Sequence, residues 1–228
     1  MDRASTVLSE DRDEEGLGVW ALTVADIDSS QLDLSVLDAG ERRRAATLVH
    51  GADRLSYIAG RILLRELLGR RLGLASAGVA FRRESCPSCG GPNGRPALDG
   101  DARSPHFSIS RSGGVVLIAI AAVPVGVDVQ IFPHDETPSE VSSLLHAEER
   151  SEIASAAPSK RTEVFTRLWT RKEAYLKGIG TGVAHDLDAE YLGTRPHGAA
   201  PPDWTVLDLP VAAGYAAAAA IKRRQSSV

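Results

Sequence analysis

Two short segments carry side chains spaced for chemistry on a charged, oxygen-rich group. In GVDVQ, residues 126–130, Asp128 and Gln130 stand two positions apart. On a strand both project from one face, and Val127 and Val129 point the other way. Such a polar face is either simply solvated or a magnesium site. Mg²⁺ takes oxygen ligands and fills its remaining positions with water and substrate phosphates, so one or two carboxylates suffice. The second segment is WTRKEAYLKGIGTG, residues 169–182. Read as a helix, it extends an apolar stripe of Phe165, Leu168, Trp169 and Leu176. Lys172 falls on that stripe, where a buried cation is costly unless paired. Glu173 and Lys177 are i, i+4, an arrangement worth only about 0.2–0.5 kcal/mol as a surface pair. A surface pair leaves Lys172 unexplained. A site needing one carboxylate for a metal and two cations for phosphates accounts for all three.

Arginines add a second layer. Arg44, Arg61, Arg95 and Arg111 each sit beside a structural feature rather than in a charge run. Arg95 belongs to GRP, residues 94–96, a stiff turn whose backbone can approach a flat ring. Arg111 belongs to SISRSGG, where serines and a glycine pair can offer donors to a phosphate. Taken singly, each also reads as an ordinary surface arginine. Cys86 and Cys89, in CPSCGG, are the only two cysteines. They supply half a tetrahedral zinc site, and His106 alone cannot complete it. A reduced or disulfide-linked turn is the expectation.

These residues need elements to hold them. GVWALTVA, residues 18–25, reads as a strand. A helix starts at Asp38, a capping residue, and runs to Arg44. A longer one covers Asp53 to Leu72, with apolar residues at helical spacing and Gly73 as its stop. VAFRRES is a short strand, followed by a Gly- and Pro-rich loop from Cys86 to Pro105. Residues 106–132 then read as three strands, turning at Gly113–Gly114 and at Val123–Pro124, because their apolar runs are rich in Val and Ile. A polar loop over 133–143 leads into a helix near Glu140, and a further helix spans about Ser159 to Lys177. WTVLDLPV is a strand. GYAAAAAIKRR has the propensity of a helix, yet it follows that strand through a glycine turn, so residues 214–221 are assigned to a strand. Runs of strands beside runs of helices give an α+β class.

Composition narrows the function. The 228 residues suit one large domain or two small ones, with 43% apolar and 25% charged residues. A net charge of −4 offers no electrostatic case for nucleic-acid binding. No segment approaches the roughly 20 apolar residues of a membrane helix. The charged start, residues 1–16, contains no signal-peptide core and reads as a flexible tail. A cytoplasmic protein is expected.

Together GRPAL, FSISRSGG, GVDVQ and WTRKEAYLKGIGTG resemble, in order, the motifs of the 4′-phosphopantetheinyl transferases, in their two-lobed, carrier-protein-activating class. The resemblance covers residues 94–182 and extends upstream to the helix around Arg61. It implies two similar, pseudo-symmetric α+β lobes, residues 1–122 and 123–228, with the active site in the cleft between them, and a monomer. It implies transfer of the phosphopantetheine arm of coenzyme A to a serine of an apo acyl or peptidyl carrier protein, with Mg²⁺ or Mn²⁺, releasing 3′,5′-ADP. The pathway would be polyketide, nonribosomal peptide or fatty acid synthesis.

By the same similarity, Asp128, Gln130 and Glu173 would bind the metal, and Glu173 or a metal-bound water near it would accept the serine proton. Lys177 would contact the pyrophosphate, and Lys172 would assist it or anchor the helix. Gly94, Arg95 and Pro96 would line the adenine. Arg44, Arg61, Ser110 and Arg111 would hold the coenzyme, with Glu149 close to the metal. Two positions depart from the family pattern: Gln130 stands where glutamate is usual, and Arg111 where histidine is usual. A permanent cation at 111 cannot act as a titrating base. Two other readings remain: a different Mg²⁺-dependent phosphate enzyme, and an inactive binder of coenzyme A or carrier protein.

Overall fold

The computed structural model describes residues 5–10, 16–100, 104–133, 139–182, 185–193 and 200–224. The other positions of the expected tail and of the 86–105 and 133–143 loops lie outside them. Helix α1 (Ala39–Ala46) starts in a capping box. The Asp38 carboxylate accepts the Glu41 N–H at 2.8 Å, and the Glu41 carboxylate accepts the Asp38 N–H at 3.0 Å. Helix α2 (Gly51–Leu72) ends at Gly73, whose φ of +67° makes a left-handed cap. Helices α3 (Ser139–Ser143), α4 (Ala147–Ser155) and α5 (Arg161–Ile179) belong to the second half of the chain.

Strands β1 (Ser5–Glu10), β2 (Gly18–Thr23), β6 (Val115–Ala121) and β5 (His106–Ser112) form a sheet in the order β1-β2-β6-β5. Within the expected flexible tail, the described residues 5–10 instead form β1, whose backbone covers the open side of β2 in antiparallel register. Strands β7 (Val125–Ile131), β9 (Tyr215–Lys222) and β8 (Trp204–Asp208) form a second sheet in the order β7-β9-β8. Strands β3 (Phe81–Arg83) and β4 (Pro96–Leu98) pair as a short hairpin. The sequence reading placed β4 inside a loop, because Pro96 cannot donate to a ladder and Gly and Pro crowd its start.

The two larger sheets pack face to face between two helices. Strand β6 is buried at every position. Val115, Leu117, Ala119 and Ala121 meet Val125, Val127, Val129, Ala217 and Ala219 of the other sheet. Val116, Ile118 and Ile120 meet Ala59, Leu63, Leu64 and Leu68 of α2. Burial on both faces explains why VVLIAIA shows no alternation. The alanine run is a strand for the same reason. In β9, the middle strand of its sheet, Ala217 and Ala219 face the first sheet, and Ala218 and Ala220 pack on Ala174 and Leu176 of α5.

Two contacts set where α5 and β5 lie on β7. A Cβ on Gly126 would come within 1.9 Å of the Ala174 carbonyl oxygen and 2.5 Å of the Gly178 nitrogen, so α5 rests directly on the strand backbone. On the other side, β5 and β7 are edge strands of different sheets. The hydroxyls of Ser108, Ser110 and Ser112 accept the N–H groups of Val127, Val129 and Ile131 at 3.1, 3.3 and 3.0 Å. Serines at alternate positions share one face of β5, so side chains replace the carbonyls of a sheet ladder and the two strands run parallel.

A methyl group has no room at the first contact. Gly126→Ala is therefore expected to lower stability by about 3 kcal/mol. Urea unfolding of the variant beside the parent checks this.

Candidate active site

A cleft of about 940 Å³ opens where these elements converge. Asp128 and Gln130 of β7 and Glu173 and Lys177 of α5 contribute to its lining, with Trp169 one turn earlier on α5. Positions 169, 173 and 177 follow one another at i, i+4 spacing, which is how one helix ridge presents all three. The opposite side carries Arg44 of α1, Tyr57 and Arg61 of α2, Arg82 and Arg83 of β3, and Arg111 of β5, and Ser110 of β5 lies beside Asp128.

Asp128 is almost wholly buried, and its carboxylate is fully engaged. Its Oδ1 accepts the Ser110 hydroxyl at 2.7 Å and forms an ion pair of 2.6 Å with Lys177 Nζ. Its Oδ2 accepts the Gln130 side-chain amide at 3.2 Å. The alternative of a plain surface pair between Glu173 and Lys177 gives way to a different contact, because the Lys177 ammonium turns to the buried carboxylate of Asp128. Glu173 is half-buried, and burial first, then the Asp128 charge, push its carboxyl above the ordinary range, against the pull of Lys177. Two carboxylates with an amide oxygen beside them, sharing one ammonium, suit a divalent cation that prefers oxygen ligands.

The opposite wall is cationic. The Arg61 guanidinium pairs with Glu41 at 2.5 Å and lies 4.4 Å from the centre of the Phe81 ring. Arg111 stacks over Tyr57 at 4.8 Å. Burial first, then the Arg44 and Arg61 charges, press its guanidinium below the ordinary arginine value, while Tyr57 opposes them. The cleft lining counts six cations (Arg44, Arg61, Arg82, Arg83, Arg111, Lys177) against two carboxylates (Asp128, Glu173), so it favours a polyanion. A smaller adjoining cavity of about 240 Å³ is lined by Gly94, Arg95 and Pro96 with Lys177, Gly180 and Gly182. Arg95 is held there by Glu84 at 2.6 Å and by the Gly178 carbonyl at 2.9 Å.

Lys172 and Glu149 are not among the cleft-lining residues: Glu149 is not at the expected place close to the metal, and of the two roles expected for Lys172 its position fits the anchoring of the helix. Lys172 is 1% exposed and Glu149 is fully buried. They form an ion pair of 2.9 Å beneath α5. Glu149 also accepts the N–H groups of His146 at 3.1 Å and Leu192 at 2.9 Å, and Lys172 donates to the Glu190 carbonyl. The cation on the apolar stripe is therefore answered by a buried partner and not by a phosphate. Arg65, which the sequence reading leaves mostly off the buried stripe, is 1% exposed and bound by Asp38, Glu41 and two carbonyls.

Cys86 and Cys89 are free thiols in a turn closing the β3–β4 hairpin, with the Cys86 N–H donating to the Gly91 carbonyl at 2.7 Å. The Cys89 and Ser88 N–H groups hold the Cys86 thiol below its ordinary value. The cleft also contains Tyr57, Phe81, Arg82, Arg83, Ile109 and Trp169, to which the sequence reading gave no role in the site. One signal for Tyr57 was available: it lies four residues before Arg61 on the same helix face.

The fold and cleft define a class: an α+β protein whose cleft sets two carboxylates against an arginine-rich wall. Residues 124–220 match the profile of the 4′-phosphopantetheinyl transferase superfamily. The matched span takes in Asp128, Gln130, Glu173 and Lys177, and marks this part of the chain as similar to that superfamily. The Synechocystis protein slr0495, provisionally named a 4′-phosphopantetheinyl transferase, is 31% identical over 68% of this chain and 61% of its own length. A 4′-phosphopantetheinyl transferase of Bacillus subtilis is 26% identical over 68% of this chain and 66% of its own. The 4′-phosphopantetheinyl transferase HetI of Nostoc is 28% identical over 84% of this chain and 81% of its own. The matched part of the chain spans less than two thirds of the first two relatives.

Two outcomes are expected. Because the Glu173 value is raised above the ordinary 4.5, its protonated form favours folding. That contribution is complete below 4.5 and is lost as pH rises through the folded-state value. At neutral pH without metal, Glu173→Gln should therefore raise the melting temperature, and the gain should shrink as pH falls toward 4.5. Thermal melts across pH measure it. Lys172→Met leaves Glu149 buried without its partner and should lower stability by about 3–5 kcal/mol, while coenzyme A affinity measured by calorimetry on the folded variant stays unchanged.

Proposed function

We propose that the chain is a 4′-phosphopantetheinyl transferase, moving the phosphopantetheine arm of coenzyme A to a serine of an apo acyl or peptidyl carrier protein with release of 3′,5′-ADP. The observation that carries this reading is the convergence of Asp128, Gln130, Glu173 and Lys177 on one cleft that faces the arginine wall. The lobes are proposed as residues 1–122 and 123–228, divided at the link between β6 and β7. Each would keep its own sheet and long helix. A cytoplasmic monomer serving polyketide, nonribosomal peptide or fatty acid synthesis completes the proposal.

Asp128, Glu173 and the side-chain oxygen of Gln130 would hold Mg²⁺, which when bound supplies positive charge to the pyrophosphate. Arg44, Arg61 and Arg111 bind the coenzyme phosphates, and Gly94, Arg95 and Pro96 border the adenine. The carrier serine oxygen attacks the β-phosphorus of coenzyme A. The bond from that phosphorus to the bridging oxygen breaks, and the electron pair leaves with 3′,5′-ADP. Glu173, which lines the same cleft, takes the serine proton. Lys177 exchanges Asp128 for the 5′-phosphate of the leaving 3′,5′-ADP and balances its charge. Arg111 acts as a fixed cation only.

Intact mass of an apo carrier protein after incubation with this protein, coenzyme A and Mg²⁺ tests the reading. One added phosphopantetheine, absent with EDTA, is expected. No addition across several acyl and peptidyl carriers would defeat it. Asp128→Ala should lose about 100-fold or more in rate. Gln130→Ala should stay within about tenfold, because water can replace a neutral ligand.

A further inference from the structure

Ser110 belongs to a motif whose resemblance assigns it to the phosphates of coenzyme A, yet its hydroxyl has no capacity left for one. A serine hydroxyl offers one donor and two acceptor sites. The donor goes to Asp128 Oδ1 at 2.7 Å. The acceptor sites take the Val129 N–H at 3.3 Å and the Lys177 ammonium at 3.0 Å. The residue is 7% exposed. Its neighbours Ser108 and Ser112 make the same kind of bond to the β7 backbone, but in both the hydroxyl holds only the strand. Ser110 alone touches both the strand that carries Asp128 and the charged ends of Asp128 and Lys177.

We propose that Ser110 is a positioning residue: it sets the orientation of the Asp128 carboxylate and the resting place of Lys177, and it does not bind the coenzyme. The inference rests on the transferase reading for its consequence in catalysis, but its structural content stands apart. One hydroxyl ties the β5 edge to the β7 backbone and steers Asp128 Oδ1 toward Lys177. Oδ2 is left to Gln130 and the cleft.

The test has two arms. The first is a double-mutant cycle of Ser110→Ala and Asp128→Ala in metal-free urea unfolding. The expected result is a combined shift in midpoint clearly different from the sum of the single shifts, since the two side chains touch. Additive shifts would overturn the proposal, whatever the enzyme does. The second arm is transfer kinetics. Ser110→Ala should lower kcat by about tenfold or more and leave KM for coenzyme A within about twofold. Ser110→Thr, which keeps the hydroxyl, should recover most of the rate, and Ser112→Ala should keep it. A raised KM for coenzyme A with kcat preserved would make Ser110 a phosphate contact and defeat the positioning role. If the parent transfers nothing while the cycle is non-additive, the transferase reading fails and the positioning of Asp128 stands.

Discussion

The arrangement depends on one close approach. Helix α5 lies against β7 with no side chain between them at Gly126, where even a methyl would collide with the Ala174 carbonyl. Gly178 extends the contact, since a Cβ there would lie 3.4 Å from the Gly126 nitrogen, and it also leaves room for the Trp204 ring of β8, which a Cβ would meet at 2.6 Å. With the helix seated this low, Glu173 and Lys177 come level with Asp128, and the Lys177–Asp128 pair closes at 2.6 Å. The alanines of β9 serve the same end, because larger residues at 218 and 220 would lift α5 off the sheet.

The serine face of β5 makes the complementary join. An edge strand exposes N–H groups that must be satisfied or covered. Here three hydroxyls take the N–H groups of β7, so the packed sheets are joined along one pair of edge strands without merging into one sheet. A carbonyl ladder would hold the strands equally well. It would not place a donor beside Asp128. Side-chain pairing lets one of the three serines face both the backbone and the charges of the cleft.

Charge is distributed by depth. Below α5, Lys172 and Glu149 neutralise each other with every polar atom engaged, which is what a buried pair needs to be tolerated. In the cleft the balance stays incomplete on both sides. Asp128 and Glu173 share one lysine, and the arginine wall has Glu41 as the carboxylate paired with Arg61. Both shortfalls are opposite in sign and face each other, as a metal and a phosphorylated ligand would require.

The elements were largely legible. Caps and glycine stops marked α1 and α2, and the apolar run of β6 and the β9 strand followed from local pattern. The strand β1 was hidden, because a charged terminus gives no periodic signal and its pairing comes from β2. At the site, the sequence by itself determined the chemistry available: Asp128 and Gln130 on one strand face, Glu173 and Lys177 one helix turn apart, and the family to which their motifs point. Only the tertiary structure decided which groups meet. Lys172 and Glu173 are adjacent in the chain, yet the 100° between successive helix positions sends one into the core and the other into the cleft. Ser110 and Asp128 are far apart in sequence and are joined by a strand contact that no local pattern encodes.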